Sequence, residues 1–415
     1  MINLWETAGL LFVEGSVLLT TIHYLENGYL HLVTFPWIYL LMVFFVYLQY
    51  RRMHKVERAA FGVKISLPWR QWFISVIAGL VASLVVSATL SLFHHTITTS
   101  TVLWVWGLTL VFAIIDTRLT CISYSTAFLG VLQPLTLLVM NHGVKLPFFV
   151  QTLASTQLLM LLLVTGLAHV MEGILIRFFG YRGASPLFVE SRRGQIVGGF
   201  VLQKFWPLPV MLSWGGVVAP FPILIGFSDF TLGQVPRRVV ERTWWMVCLF
   251  GLFTLLLYAG AVYRPNLAFV AAVLIGLFHE VMYKLVRARE VNATPIFVRP
   301  NRGVRVLATL PFSPAEKLGL TAGDTIMKVG GMAVNSPYDI HFAIDQNPAY
   351  VKLEVLDLRG ELRFLGTPVF TKDPHQIGII AVPDEHAREY AAIYPLSIGK
   401  WVWRWWNSGR PSIEL

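Results

Sequence analysis

Charge is scarce in this chain. Asp, Glu, Lys and Arg make up 13% of its 415 residues, against about 25% in soluble globular proteins. The deficit is uneven. Residues 1–283 hold long apolar runs, whereas residues 284–415 have ordinary soluble composition. That contrast divides the chain into a membrane part and a globular part. Cysteine is scarce too. Cys121 and Cys248 lie in or beside apolar runs, which excludes a disulfide framework and reads as two inert, buried thiols. Catalytic motifs are missing. A zinc protease needs H-E-x-x-H, two imidazoles on one helical face with a glutamate between them. Here "HEVMY" places Tyr283 where the second histidine belongs, and "HVME" at His169–Glu172 has the wrong spacing. No G-x-S-x-G stretch occurs. The chain therefore reads as no enzyme, with no cofactor and no metal site. The net charge of +10 comes without a nucleic-acid motif, and loops between membrane spans account for it.

What is present in abundance is apolar sequence. Runs near 8–25, 32–48, 72–93, 101–115, 122–140, 147–171, 243–262 and 266–283 are candidate spans, because about 20 apolar residues cross the hydrocarbon core. Glu14 weakens the first, which has neither a basic n-region nor a small-residue cleavage site, so a cleaved signal peptide is not expected. Basic residues sort the loops. Residues 49–70 carry Arg51, Arg52, Lys55, Arg58, Lys64 and Arg70, and further basic clusters fill 176–204, 228–242 and 284–302. The opposing loops "HHTITTS", "NHGVKLP" and "YRPN" hold almost none. The positive-inside rule puts the basic set in the cytoplasm.

Residues 205–227, "FWPLPVMLSWGGVVAPFPILIGF", do not fit a straight span. Both flanks are basic, and Pro207, Pro209, Pro220, Pro222 and a glycine pair oppose a helix. A re-entrant or interfacial segment is expected, giving about eight spans. Just before it, two β-prone runs flank Arg192-Arg193-Gly194, so 187–227 combines a cytoplasmic hairpin with that segment. Residues 284–294 read as a basic juxtamembrane linker.

From residue 295 to 384 the pattern is that of a small α+β domain. "GVRVLAT" alternates like a strand. Ser313 and Pro314 open a short helix, "TIMKV" is a strand before a Gly330-Gly331 turn, and Ser336 caps a second helix, "PYDIHFAIDQ". The stretch "SPAEKLGLTAGDTIMKVGGMAV" resembles a bacterial PDZ domain. That resemblance implies an extended peptide added as a strand beside a sheet edge and against a helix. The glycine-centred triplet that holds a peptide terminus is missing before the first strand. It occurs instead as Ile377-Gly378-Ile379. Either a circular rearrangement brings it to the groove, or the triplet is an ordinary edge strand and the groove takes no free C-terminus. His341 either reads a ligand side chain or is a solvated helix residue, and Ile344 shares its helix. Ile377, Gly378, Ile379, His341 and Ile344 are the candidate peptide-binding residues.

Several spans followed directly by one PDZ-like domain, with "SRRGQIVGGFVLQKFWPLP" and "FPILIGFSD" between, resemble the MinJ family of bacterial cell-division topological determinants. The resemblance implies a non-catalytic scaffold in the bacterial cell membrane, multi-pass, with its PDZ domain in the cytoplasm. It further implies partners among DivIVA-like and MinD-like division proteins, with MinC beyond. The other reading is a degenerate or unrecognised intramembrane protease, or a transporter, regulated by the PDZ domain. The Trp-rich tail at 385–415, with Trp401, Trp403, Trp405 and Trp406, is expected on membrane lipids or against the PDZ domain.

Overall fold

A computed structural model describes residues 4–382, except 64, 66, 94–95, 191–194, 347–348 and 369–376. The Trp-rich tail lies outside the described residues. The apolar runs become helices α1 (Leu4–Thr34), α2 (Trp37–Phe61), α3 (Pro68–Ser91), α4 (Thr99–Ile115), α5 (Ile122–Asn141), α6 (Phe148–Gln151), α7 (Leu158–Phe179), α8 (Pro236–Tyr263) and α9 (Ala268–Asn292). Among the described residues, five of these are long and apolar enough to cross a membrane alone. A sixth crossing arises if α1 and α2 count as one span, bent by 74° at Phe35–Pro36. This is fewer than the eight expected. Helix α4 is a shorter apolar helix. The run at 147–171 breaks at Thr156–Gln157, so only its second half joins α7. Residues 284–292, read from sequence as a linker, are the last turns of α9.

Residues 205–227 are neither helical nor irregular. They belong to a long β-hairpin of β3 (Ile196–Trp214) and β4 (Val217–Thr231), turned at Gly215–Gly216. Both glycines have positive φ, 62° and 86°, as a two-residue turn matched to strand twist requires. The short strand β2 (Ser185–Glu190) pairs with the base of β3, so the cytoplasmic hairpin read at 187–203 is the first part of this sheet. At the tip, β1 (Thr96–Ile97), which follows α3, pairs with Ser213 and Trp214. Fifteen residue pairs join β3 to β4, and at ~3.4 Å per residue they make a ladder about 50 Å long. The hairpin therefore runs the length of the helical bundle, from its basic end to the opposite end. Trp206, Leu208, Val210, Met211, Leu212 and Phe221 on it are fully buried.

A buried strand edge must satisfy its backbone groups without water. The prolines do part of this. Pro207 and Pro209 pair with Leu224 and Pro222, and Met211 pairs with Pro220. These positions turn their backbone groups away from the partner strand, so a proline there removes an N–H that would otherwise need an acceptor. Helix α3 supplies the rest with a small residue every fourth position: Ser75, Gly79, Ser83, Ser87 and Ser91. The Ser83 hydroxyl donates to the Pro209 carbonyl, Met211 N–H donates to Ser87 Oγ at 2.9 Å, and Tyr24 O–H donates to the Met211 carbonyl at 2.9 Å.

The sheet-rich C-terminal region contains β5 (Val304–Thr309), α10 (Pro314–Lys317), β6 (Thr325–Val329), β7 (Met332–Ala333), α11 (Pro337–Asp345), β8 (Tyr350–Leu356), β9 (Leu362–Pro368) and β10 (Ile379–Ala381). Its sheet runs β10-β5-β6-β8-β9, with β7 on β6. It is fastened to the hairpin base. Gly198 N–H donates to the Phe297 carbonyl at 2.9 Å, and the fully buried Phe297 ring packs edge-on against Phe200. Close by, the buried Glu290 accepts from Arg242 on α8 and from Thr231 on β4, each at 3.0 Å.

Helix α11 starts in a reciprocal cap. Ser336 Oγ accepts from Asp339 N–H, and Asp339 Oδ2 accepts from Asn335 N–H at 2.8 Å and Ser336 N–H at 2.9 Å. The Asn335 N–H, outweighing modest desolvation and helped by Ser336, holds the Asp339 carboxyl below the usual carboxylate range. A group whose folded pKa lies below its unfolded pKa stabilises fully above the unfolded value, and that contribution is lost as pH falls through the folded value. Asp339→Ala is expected to cost no more than about 1 kcal/mol after solvent screening. Hydrogen exchange of α11 checks it: the variant exchanges faster at neutral pH, and the difference from the parent shrinks in acid.

Candidate functional site

Among the described residues, β10 and β9 are the two outer strands of the sheet, and β10 carries a sequence-derived candidate. Leu310 N–H donates to the Gly378 carbonyl and Val382 N–H to the Arg305 carbonyl, which turns Gly378, Ile380 and Val382 toward β5. By strand alternation Ile379 and Ala381 present their N–H and C=O groups outward. One of the sequence-derived candidates, Ile379, therefore lies on this outer edge. Ile377 is buried, and its carbonyl accepts from Ala315 N–H at 2.9 Å. Gly378 has φ of 77°, and a Cβ there would fall 2.3 Å from Ser313 Cβ. Its glycine is demanded by packing on the start of α10. Across the core, Ile340, Ala343 and Ile344 of α11 are buried with Ile377, and Ile379 and Ala381 pack against that cluster. Ile344 is thus a core residue, while His341 is exposed on α11. The aromatic rings of Tyr338, Phe342 and Phe312 are exposed nearby in sequence.

A second constellation lies inside the bundle, and sequence reasoning missed it. Cys121 precedes α5, His169 lies on α7 and His279 on α9. Their Sγ and ring nitrogens lie within 4.8 Å of one another. Cys121 Sγ is 3.3 Å from His169 Nε2 and 3.8 Å from His279 Nε2. The Glu172 carboxylate is 3.7 Å from His169 Nε2. Phe250 packs edge-on to both imidazoles, and Tyr124 packs edge-on to His279. Cys121, Glu172 and His279 border a cavity of about 530 Å³ between the hairpin base and helices α2, α8 and α9. Charged groups Arg52, Asp116, Arg118, Asp229 and Arg287 also line it. The donors come from α7, α9 and the residue before α5, far apart in the chain, so no sequence spacing announces them. The only signal was polarity: three titratable residues in otherwise apolar runs. Glu280, next to His279, points elsewhere and accepts from Arg118 and Tyr124, each at 2.9 Å.

The chain is 31% identical over 248 residues to the cell division topological determinant MinJ of Bacillus subtilis (strain 168), an alignment covering 55% of this chain and 62% of that protein. It is 26% identical over 337 residues to the probable cell division topological determinant MinJ of Lacticaseibacillus paracasei, covering 74% of this chain and 85% of that protein. The chain is similar to MinJ proteins over much of its length. The corresponding protein of Lacticaseibacillus casei (strain BD-II) matches this MinJ-like chain equally well. No protein-family model matches it.

Proposed function

We propose that this chain is a membrane-embedded topological determinant of cell division, acting as a non-catalytic adaptor. In this reading residues 295–384 form a cytoplasmic PDZ domain, and a partner segment adds as a strand along Ile379 and Ala381, against α11. The likeness to MinJ proteins carries the reading. The open β10 edge supports the mode of recruitment, and the Gly198–Phe297 fastening supports a module held at a set distance from the membrane. Tethering confines encounters to the membrane surface and raises effective concentration. Partners on this reading are DivIVA-like and MinD-like division proteins, recruited so that septum placement is restricted to midcell.

Full-length protein in lipid nanodiscs tests it against purified DivIVA-like and MinD-like proteins. Ile379→Pro removes one outward N–H and leaves the β5-facing bonds of Gly378 and Val382 in place. Losing one main-chain bond and the strand geometry is expected to weaken capture by at least about tenfold. Equal capture by parent and variant would show that partners bind elsewhere. Failure of the parent to bind any division protein, with normal septa in cells lacking the chain, would end the adaptor reading itself.

A further inference from the structure

We infer that Cys121, His169 and His279 form a binding site for a zinc-class divalent cation, holding α5, α7 and α9 together at the wall of the internal cavity. His169 Nδ1 lies 2.7 Å from the Thr165 carbonyl, so that nitrogen carries the hydrogen and donates it. The lone pair is then on Nε2, which faces Cys121 Sγ, Ser123 Oγ at 3.3 Å and the Glu172 carboxylate. The Cys121 thiol, the Ser123 hydroxyl or a proton shared with Glu172 can meet that lone pair, and so can a cation held between the imidazole, the sulfur and the carboxylate oxygen 3.7 Å away. His279 sharpens the point. Among the described residues its Nδ1 is buried with no hydrogen-bond partner, and its Nε2 makes the long contact to Cys121 Sγ, at 3.8 Å. Hydrogen bonding alone leaves this imidazole poorly satisfied in an apolar bundle, where an unmet polar atom is expensive.

A metal ion would engage the Nε2 atoms of both imidazoles and the Cys121 sulfur with the atoms already in place, while His279 Nδ1 would stay without a partner among the described residues. In tetrahedral zinc sites Zn–S is about 2.3 Å and Zn–N about 2.0 Å, which sets sulfur and nitrogen ligands about 3.5 Å apart. The two sulfur–nitrogen separations, 3.3 and 3.8 Å, bracket that edge. The Thr165 carbonyl on His169 Nδ1 is the kind of outer contact that fixes a ligating tautomer. One thiolate and two imidazoles favour zinc, cobalt or copper over magnesium or calcium. Cys121 and His279 border the cavity, so the ion has an entry path and its fourth position faces that space, with Glu172 beside it. Three protein ligands with an open position leave room for water or a ligand from the cavity. This inference does not depend on the adaptor reading.

The test uses the full chain, purified in detergent without chelators, and elemental analysis. About one zinc per chain is expected, falling at least tenfold in Cys121→Ser and in His279→Gln and unchanged in Cys248→Ser. Because either ligand variant can disturb folding, the parent is also stripped and titrated with cobalt. A thiolate-to-cobalt charge-transfer band and protection of Cys121 from iodoacetamide are expected. Metal-free protein that takes up no cobalt would overturn the site, as would metal content equal in parent and both ligand variants. A Cys121 that alkylates equally fast with and without metal would instead mark a thiol–imidazole pair without an ion.

Discussion

A cysteine placed at Val217 is expected to react with a membrane-impermeant maleimide in intact cells, and one at Arg237 only after the membrane is opened. Val217 follows the glycine turn and is 48% exposed, and the Arg237 side chain is 74% exposed at the start of α8. Only the ladder from Val217 to Thr231 and a short connection separate them in sequence. A ladder of about 50 Å exceeds the ~30 Å hydrocarbon core, so a hairpin standing across the membrane would expose its two ends on opposite sides. The positive-inside rule assigns the sides: Arg237 and Arg238 belong to the basic set, whereas the tip pairs with β1 in the loop that contains no Lys or Arg. The unmodified chain, with Cys121 and Cys248 only, gives the background. Labelling is close to all-or-none, so the contrast is large. If both sites label only after permeabilisation, the hairpin does not cross, and both its ends lie in the cytoplasm.

How much of this was legible beforehand differs by region. The C-terminal elements announced themselves because each is written locally: Ser313 and Ser336 as caps, Gly330-Gly331 as a turn, and alternation in "GVRVLAT" and "YVKLEVLDL". The basic flanks of 205–227 pointed to a re-entrant or interfacial segment, and the hairpin pairs the two ends of that segment with each other. Its form was misread because four prolines were weighed only against a helix. Their spacing, two apart at 207 and 209 and again at 220 and 222, is the period of a strand. It marks the positions that face away from the partner strand. The matching signal on the other side was the four-residue repeat of small residues in α3, which only acquires meaning once a strand edge is laid along it. The Cys121–His169–His279 cluster was legible only as isolated polar residues in apolar runs, not as a group. Its members are 48 and 158 residues from Cys121 in sequence, and packing alone brings them together.

The same α3 surface yields a sharp pair of substitutions. Gly79→Ala is expected to lower the apparent melting temperature of the detergent-solubilised chain by several degrees, while Gly107→Ala leaves it unchanged or slightly raised. Both glycines lie inside apolar helices, so the helix-propensity gain is the same, at most about 1 kcal/mol. Their surroundings differ. A Cβ at Gly107 meets nothing within 4 Å, whereas one at Gly79 would fall 2.4 Å from the Pro207 carbonyl oxygen. That oxygen is backbone, held in register by β4, so no rotamer change relieves the contact. The strand and the helix must separate, which lengthens the next two hydrogen bonds along the strand, Ser83–Pro209 and Ser87–Met211. Overpacking of this kind and two weakened buried hydrogen bonds together amount to roughly 2–4 kcal/mol, well beyond any propensity gain. Equal melting temperatures for the two variants would mean that α3 does not press on the strand edge. The serine repeat would then have no role in satisfying the buried backbone.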